Sequence, residues 1–260
     1  MKSTDRSKED KEYVAGLEKG LAIIEAFGIR HGALTLSEAA EITGHTRASA
    51  RRSLLTLQRL GYVSWDGKYF RLAPRTLRLG HAYVASTPLC RVVQPVLEAT
   101  TERTHESSSV AVLDGMETVF VARATARRSL SDGLGMGSRL PAYCSATGRI
   151  LLAEMPPHEL ELALRKIARR KLTPHTRVEV DEIMSIIRQA AANGYAICDE
   201  ELELGVRSIA VPMRDNQGRA VAAMSLVAAN SRMSVETMID TLLPHLESAR
   251  RMLAHVYQFE

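Results

Sequence analysis

One stretch, residues 34–72, constrains the fold of this chain more than any other: LTLSEAAEITGHTRASARRSLLTLQRLGYVSWDGKYFRL. Its spacing predicts a short helix over 37–43, a turn at Gly44-His45, a second helix over 46–60, and two strands joined by a hairpin. That order of elements is a winged helix-turn-helix.

In the second helix the apolar and basic residues separate at 100° per residue. Ala50, Leu54 and Leu57 fall on one side, with Leu60 at its edge, and Arg51, Leu55, Arg59 and Arg52 fall roughly opposite. Thr46 fits an N-cap, and Arg47, Ser49, Arg51 and Arg52 occupy the opening turns, the part of a recognition helix that meets base edges and phosphates. No acidic residue occurs from 46 to 65. Asp66-Gly67 reads as a two-residue hairpin turn, because both residues tolerate positive φ, and this places Lys68 at the tip of a wing. A flexible point charge there suits a phosphate or the minor groove. The competing reading is a helical hairpin with a solvated basic face.

Charge agrees with the first reading once it is divided along the chain. The net charge is +4, but residues 1–90 hold 14 Lys+Arg against 9 Asp+Glu, so the rest of the chain is close to neutral. A basic excess confined to one end suits a polyanion such as duplex DNA. Cys90, Cys144 and Cys198 are odd in number and widely spaced, which favours neither a disulfide framework nor a metal site, and the histidines show no metal-ligand spacing. No apolar run is long enough to cross a bilayer and the N-terminus is charged from the start, so the expectation is a cytoplasmic protein without membrane contact.

Along the chain, 1–12 reads as a disordered tail and 13–75 as the DNA-binding domain, opened by a helix with Leu17, Leu21, Ile24 and Phe27 at helical spacing. Residues 76–88 read as a linker helix, which needs a cover; a second copy of the chain is the economical one, giving a homodimer or a dimer of dimers on a DNA operator. Residues 89–260 interleave helices with hairpins: a strand, an Asp-Gly turn and a strand over 107–123, two further strands over 208–213 and 220–228, and a last helix over 234–257. The fold class is α+β with a largely antiparallel sheet.

The segment LPAYCSATGR, 140–149, runs small and hydroxyl residues straight into an apolar helix. Free backbone N–H groups, Ser145 and Thr147 at a helix N-terminus make a site for a small carboxylate, and an ordinary helix cap explains the same residues equally well. Gly133–Gly137, GLGMG, lacks the third glycine of a dinucleotide fingerprint and the Lys-Ser/Thr of a P-loop, so it reads as a loop over a pocket, with no cofactor. Cys144 as a nucleophile would need a base that the sequence does not identify, so catalysis is unsupported.

Five segments in order resemble the IclR family of bacterial transcription regulators: LEKGL at 17–21, TRASARRSLLTLQRLGYV at 46–63, LPAYCSATGRILLA at 140–153, Gly194-Tyr195 with Asp199-Glu200-Glu201, and GVRSIAVP at 205–212. The resemblance covers nearly the whole chain after the tail. It implies a winged helix-turn-helix joined by a helix to a GAF-like effector domain, working as dimers or tetramers. TRASARRSLLTLQRLGYV and SRLPAYCSATGR are most similar to the branch that regulates the protocatechuate, 4-hydroxybenzoate and β-ketoadipate pathways, implying a regulator of aromatic-acid breakdown with a small carboxylate effector. By family position the effector pocket is carried by Leu134, Met136, Cys144, Ser145, Ala146, Cys198, Ser208 and Ser225. Two departures stand out. Cys198 occupies the place where relatives that bind very small acids have an acidic side chain, with Asp199 displaced by one, and Val227 replaces a second serine. Both make the pocket less polar and favour an aromatic or longer effector. A winged-helix module that only oligomerises and a Cys144-dependent hydrolase are the alternatives.

Overall fold

The computed structural model describes residues 13–29, 32–127 and 134–256, and the chain divides into two compact units, Met1–Tyr83 and Val84–Glu260. The expected tail over 1–12, Gly133 of the Gly-rich loop and Tyr257 at the end of the last helix lie outside the described residues.

In the first unit, helices α1 (Ala15–Ile29), α2 (Leu36–Thr43) and α3 (Arg47–Arg59) precede strands β1 (Val63–Trp65) and β2 (Phe70–Leu72). Helix α2 begins in a capping box: Thr35 Oγ1 accepts the Glu38 amide at 3.3 Å, and the Glu38 carboxylate accepts the Thr35 amide at 2.8 Å. It ends at Gly44, whose φ of +66° is the left-handed turn the helix-turn-helix needs. The core joins Ile23, Phe27, Leu34, Ala50, Leu54, Leu57, Val63 and Phe70. The α1 stripe divides differently from its spacing: Ile23, Ala26 and Phe27 are buried, whereas Leu17 and Leu21 stand exposed.

The wing corrects one expectation. Pairing closes at Trp65–Phe70, so the loop has four residues, 66–69, in place of two. Asp66 Oδ1 accepts the amides of Lys68 and Tyr69 at 3.0 and 2.8 Å, an Asx turn that competes with continued pairing. Those bonds, with Arg71 beside the carboxylate, hold the Asp66 pKa at about 2. Helix α4 (Leu77–Ser86) follows a 3-10 turn over Pro74–Thr76; none of its residues is buried, and the division between the units falls within it.

The second unit holds α5 (Pro88–Thr104), β3 (Ser107–Asp114), β4 (Glu117–Ala124), β5 (Arg139–Pro141), α6 (Ala146–Leu152), α7 (Pro157–Lys166), α8 (Val180–Asn193), β6 (Ala196–Asp199), β7 (Val206–Arg214), β8 (Ala220–Ala229) and α9 (Val235–Val256). Six strands form one sheet in the order β5-β4-β3-β8-β7-β6, every pair antiparallel. Strands β5 and β6, too short to stand out by alternation, were not anticipated.

Alternation sorts the sheet into two faces. Val110, Met224 and Val211 lie in one row across β3, β8 and β7 and pack with Leu97 of α5 and Leu246 of α9. One residue back in β3, the row Ser109, Ser225 and Ala210 faces the other way, toward the side where Ile150 of α6 and Ala190 of α8 pack. A bulge interrupts β4: Val110 pairs with Ala122, but Ala111 pairs with Phe120, leaving Val121 as an extra residue. The bulge puts Phe120 and Arg123, three apart in sequence, on the same face, where an unbroken strand would send them to opposite faces.

Candidate functional site

The first surface is built on α3. Thr46 Oγ1 accepts the Ser49 amide at 3.2 Å, fixing the entry of the helix and filling one of its orphan donors. Arg47, Arg51, Arg52 and Arg59 are exposed, Arg52 and Arg59 on the side away from Ala50, Leu54 and Leu57, Arg51 at its flank and Arg47 in the first turn. Arg47, Arg51, Arg52 and Lys68 form no ion pair among the described residues, so their charge is uncompensated. Ser49 departs from the expectation: at 8% exposure it sits on the packed side, two positions before the outward Arg51 and one before the core residue Ala50. In the wing, Lys68 is exposed with its Nζ 4.9 Å from the Tyr69 ring centre, and Trp65 stacks on Phe70 at 5.7 Å, bracing the hairpin. This surface can neutralise phosphates along a groove.

The second feature is a cavity of about 260 Å³ in the second unit. Its floor is the polar face of the sheet: Phe120 and Arg123 from β4, Ser225 and Val227 from β8, Ser208 from β7 and Cys198 from β6. Ser145, Ala146 and Thr147 at the start of α6 close it from the other side, with Leu134, Leu140 and Pro141 at one wall and Leu172, Leu202, Glu203 and Val206 at another. The Ser225 hydroxyl shares a hydrogen bond with Ser109 at 2.9 Å, and Ser145 Oγ accepts the Gly148 amide at 3.1 Å. Ser145 is therefore a helix cap as well as a wall residue, and α6 has only seven residues. Gly148 allows the tight turn before it, since a Cβ there would lie 2.2 Å from the Ala142 carbonyl oxygen.

Leu134, Ser145, Ala146, Cys198, Ser208 and Ser225 thus come together around one space. Met136 and Cys144 do not: Met136 is 60% exposed, and Cys144 is fully buried beneath the wall, its carbonyl accepting the Cys198 thiol at 3.0 Å. Burial pushes the Cys144 thiol up to about 12 and Cys198 to about 11, the reverse of what a nucleophile requires. Asp199, the next residue along β6, pairs with Arg207, so of the two only Cys198 lines the cavity. Sequence reasoning missed Phe120, Arg123, Leu172 and Glu203. A signal existed for Arg123, the one basic residue of the largely apolar strand ETVFVARA, but the direction of its side chain depends on the bulge.

Among the described residues no group of side chains could hold a metal ion, and no helix is long and apolar enough to cross a membrane. The chain is 39% identical over 247 residues to the Pca regulon regulatory protein of Pseudomonas putida, covering 95% of this chain and 85% of that protein. It is 35% identical over 252 residues to the p-hydroxybenzoate hydroxylase transcriptional activator of Acinetobacter baylyi, covering 95% and 93%. Among solved structures, the inducer-binding domain of an Acinetobacter PobR transcription factor, a double mutant in complex with 3-hydroxybenzoic acid, superposes with a TM-score of 0.62 at 30% identity, covering 66% of this chain and 100% of that one. Residues 16–67 match the IclR helix-turn-helix domain and residues 81–255 match the bacterial transcriptional regulator IclR C-terminal family. The chain, a DNA-binding transcription regulator with a helix-turn-helix unit and a cavity-bearing second unit, belongs to the IclR family.

Proposed function

We propose that the protein is an effector-controlled regulator of genes for aromatic-acid catabolism, with a small aromatic carboxylate as its effector. The cavity carries this reading: at about 260 Å³ it lies below the range of drug-sized pockets, roughly 300–1,000 Å³, and suits a single substituted ring. Its apolar walls offer a ring Phe120, Leu134, Leu140 and Val227, and its hydroxyls at Ser145, Thr147, Ser208 and Ser225 offer hydrogen bonds to polar substituents. Relatives named for the Pca regulon and p-hydroxybenzoate hydroxylase, and one solved with 3-hydroxybenzoic acid, support the same chemistry.

On the DNA side, Thr46, Arg47, Arg51, Arg52 and Lys68 form the reading and phosphate contacts, while Ser49 acts through its backbone at the cap. The working form is a homodimer or a dimer of dimers. Supporting this, exposed Leu17, Leu21 and Leu60 line an apolar cleft of about 630 Å³ together with Leu79 of α4, a surface that water covers poorly. Residues 13–75 act as the reading head, 76–88 as the linker and 89–260 as the sensor.

Thermal melting of the full chain with 4-hydroxybenzoate, 3-hydroxybenzoate and protocatechuate tests the proposal. An acid at a hundred times its Kd should stabilise the folded state by about 2.7 kcal/mol and shift operator affinity in a gel-shift series. No shift with any of the three would overturn the aromatic-effector reading.

A further inference from the structure

The strongest unexplained feature of the cavity is an arginine without a counter-ion among the described residues. Arg123 lines the cavity, and its Nε and Nη2 are closed to water with no hydrogen-bond partner among the described residues. The other charged side chain on the wall, Glu203, is exposed and forms no ion pair with it. The side chain is half-buried, and its guanidinium carbon lies 5.8 Å from the Phe120 ring centre, a contact that offsets only part of the cost of shielding the two nitrogens. Desolvation accordingly pushes the Arg123 pKa below its ordinary value. The backbone is committed elsewhere, its carbonyl accepting Gln94 Nε2 at 3.3 Å.

Two details point to what is missing. The bare nitrogens, Nε and Nη2, are the pair whose N–H bonds run side by side, the fork that matches the two oxygens of one carboxylate. The β4 bulge is what brings Arg123 to this face, in register with Ser109 and through it Ser225, at the β4 end of the polar row. Ser208 and Cys198 lie three and four strands away, about 14 and 19 Å along the sheet at the usual strand spacing. An extended arginine side chain and one benzene ring fit between them.

We propose that Arg123, aimed by the bulge at Val121, is the anchor for the effector's carboxylate, and that the ring substituents opposite it are read by the β7 and β6 end of the floor at Ser208 and Cys198. This rests on the aromatic-acid reading above and adds to it an orientation and a selectivity: acids are bound and their neutral analogues are not. An anchor kept without a counter-ion costs stability until the ligand arrives, and that separates it from a structural arginine.

The test measures calorimetric affinity for 3-hydroxybenzoate, 4-hydroxybenzoate and protocatechuate, and for the matching primary amides, using the full chain and its Arg123→Met and Arg123→Lys variants. The expected result is that wild type prefers each acid it binds over the amide by about ten- to a hundredfold. Arg123→Met loses that preference, Arg123→Lys keeps part of it, and the ligand-free Arg123→Met protein melts no lower than wild type. Equal affinity of wild type for acid and amide, or an Arg123→Met protein that binds the acid as wild type does, overturns the anchor while leaving the aromatic effector in place. A lower ligand-free melting temperature with the acid preference intact in the Met variant shows a structural arginine and overturns it too. Absence of any acid binding to wild type overturns the aromatic-effector reading itself, and the anchor with it.

Discussion

Arg149 is 2% exposed and yet fully provided for. Its Nη2 and Nη1 reach the two Glu201 oxygens at 2.8 and 2.7 Å, and its Nε and Nη1 donate to the carbonyls of Tyr143 and Ile197 at 3.2 and 2.9 Å. Glu201 also accepts the Arg177 amide at 3.0 Å. A charge held this way differs from Arg123 in the sign of what its loss does. Arg149→Met leaves Glu201 buried without its cation and should lower unfolding free energy by about 3–5 kcal/mol in urea denaturation. An unchanged midpoint would show that the pair contributes nothing. The buried thiols make a second residue-level prediction. Cys144 and Cys198 have folded values of about 12 and about 11, above the ordinary 9.0, so the folded state favours the protonated form. The stability this contributes is complete below pH 9 and is lost as pH rises toward 11 and 12. Melts between pH 8 and 11 should therefore fall more steeply for wild type than for a Cys144→Ala/Cys198→Ala variant, and parallel slopes would contradict the burial.

At the scale of elements, short local signals fix where helices start and long-range pairing fixes where strands bend. Thr46→Ala removes the acceptor for the Ser49 amide and should cost about 1 kcal/mol, read as a lower melting temperature of the DNA-binding unit. Gly148→Ala is harsher, because the new Cβ would meet backbone at 2.2 Å with no flexible side chain to yield. It should destabilise by about 1–3 kcal/mol or more and distort the cavity wall at Ser145, giving weaker effector binding in calorimetry. The α3 helix and its cap were legible in sequence because a capping residue and a 3.6-residue stripe are local properties. The wing was legible as a hairpin but not in its loop length, since Asp66 takes two amides that a two-residue turn would have left to the strands.

At the scale of the whole molecule, the exposed basic residues of α3 belong to one unit and the polar-floored cavity to the other. Replacing both Arg51 and Arg52 by alanine should weaken operator binding and reduce the magnitude of the slope of log K against log salt by about one for each lost phosphate contact. A slope equal to that of wild type would remove α3 from the interface. Because linkage is reciprocal, an effector that alters operator affinity must have its own affinity altered by the same factor when operator is present.

The sequence by itself determined the winged helix-turn-helix, the α+β character of the second half and the family, because these rest on periodicity, turn chemistry and ordered motifs; the family resemblance also named six residues that line the cavity. Only the tertiary structure decided that Ser49 faces inward, that Cys144 and Met136 miss the cavity, and that Arg123 enters it. The reason is geometric. One extra residue at Val121 reverses the facing of everything beyond it in β4, and whether a strand carries that residue is settled by its partner β3, not by its own alternation of side chains.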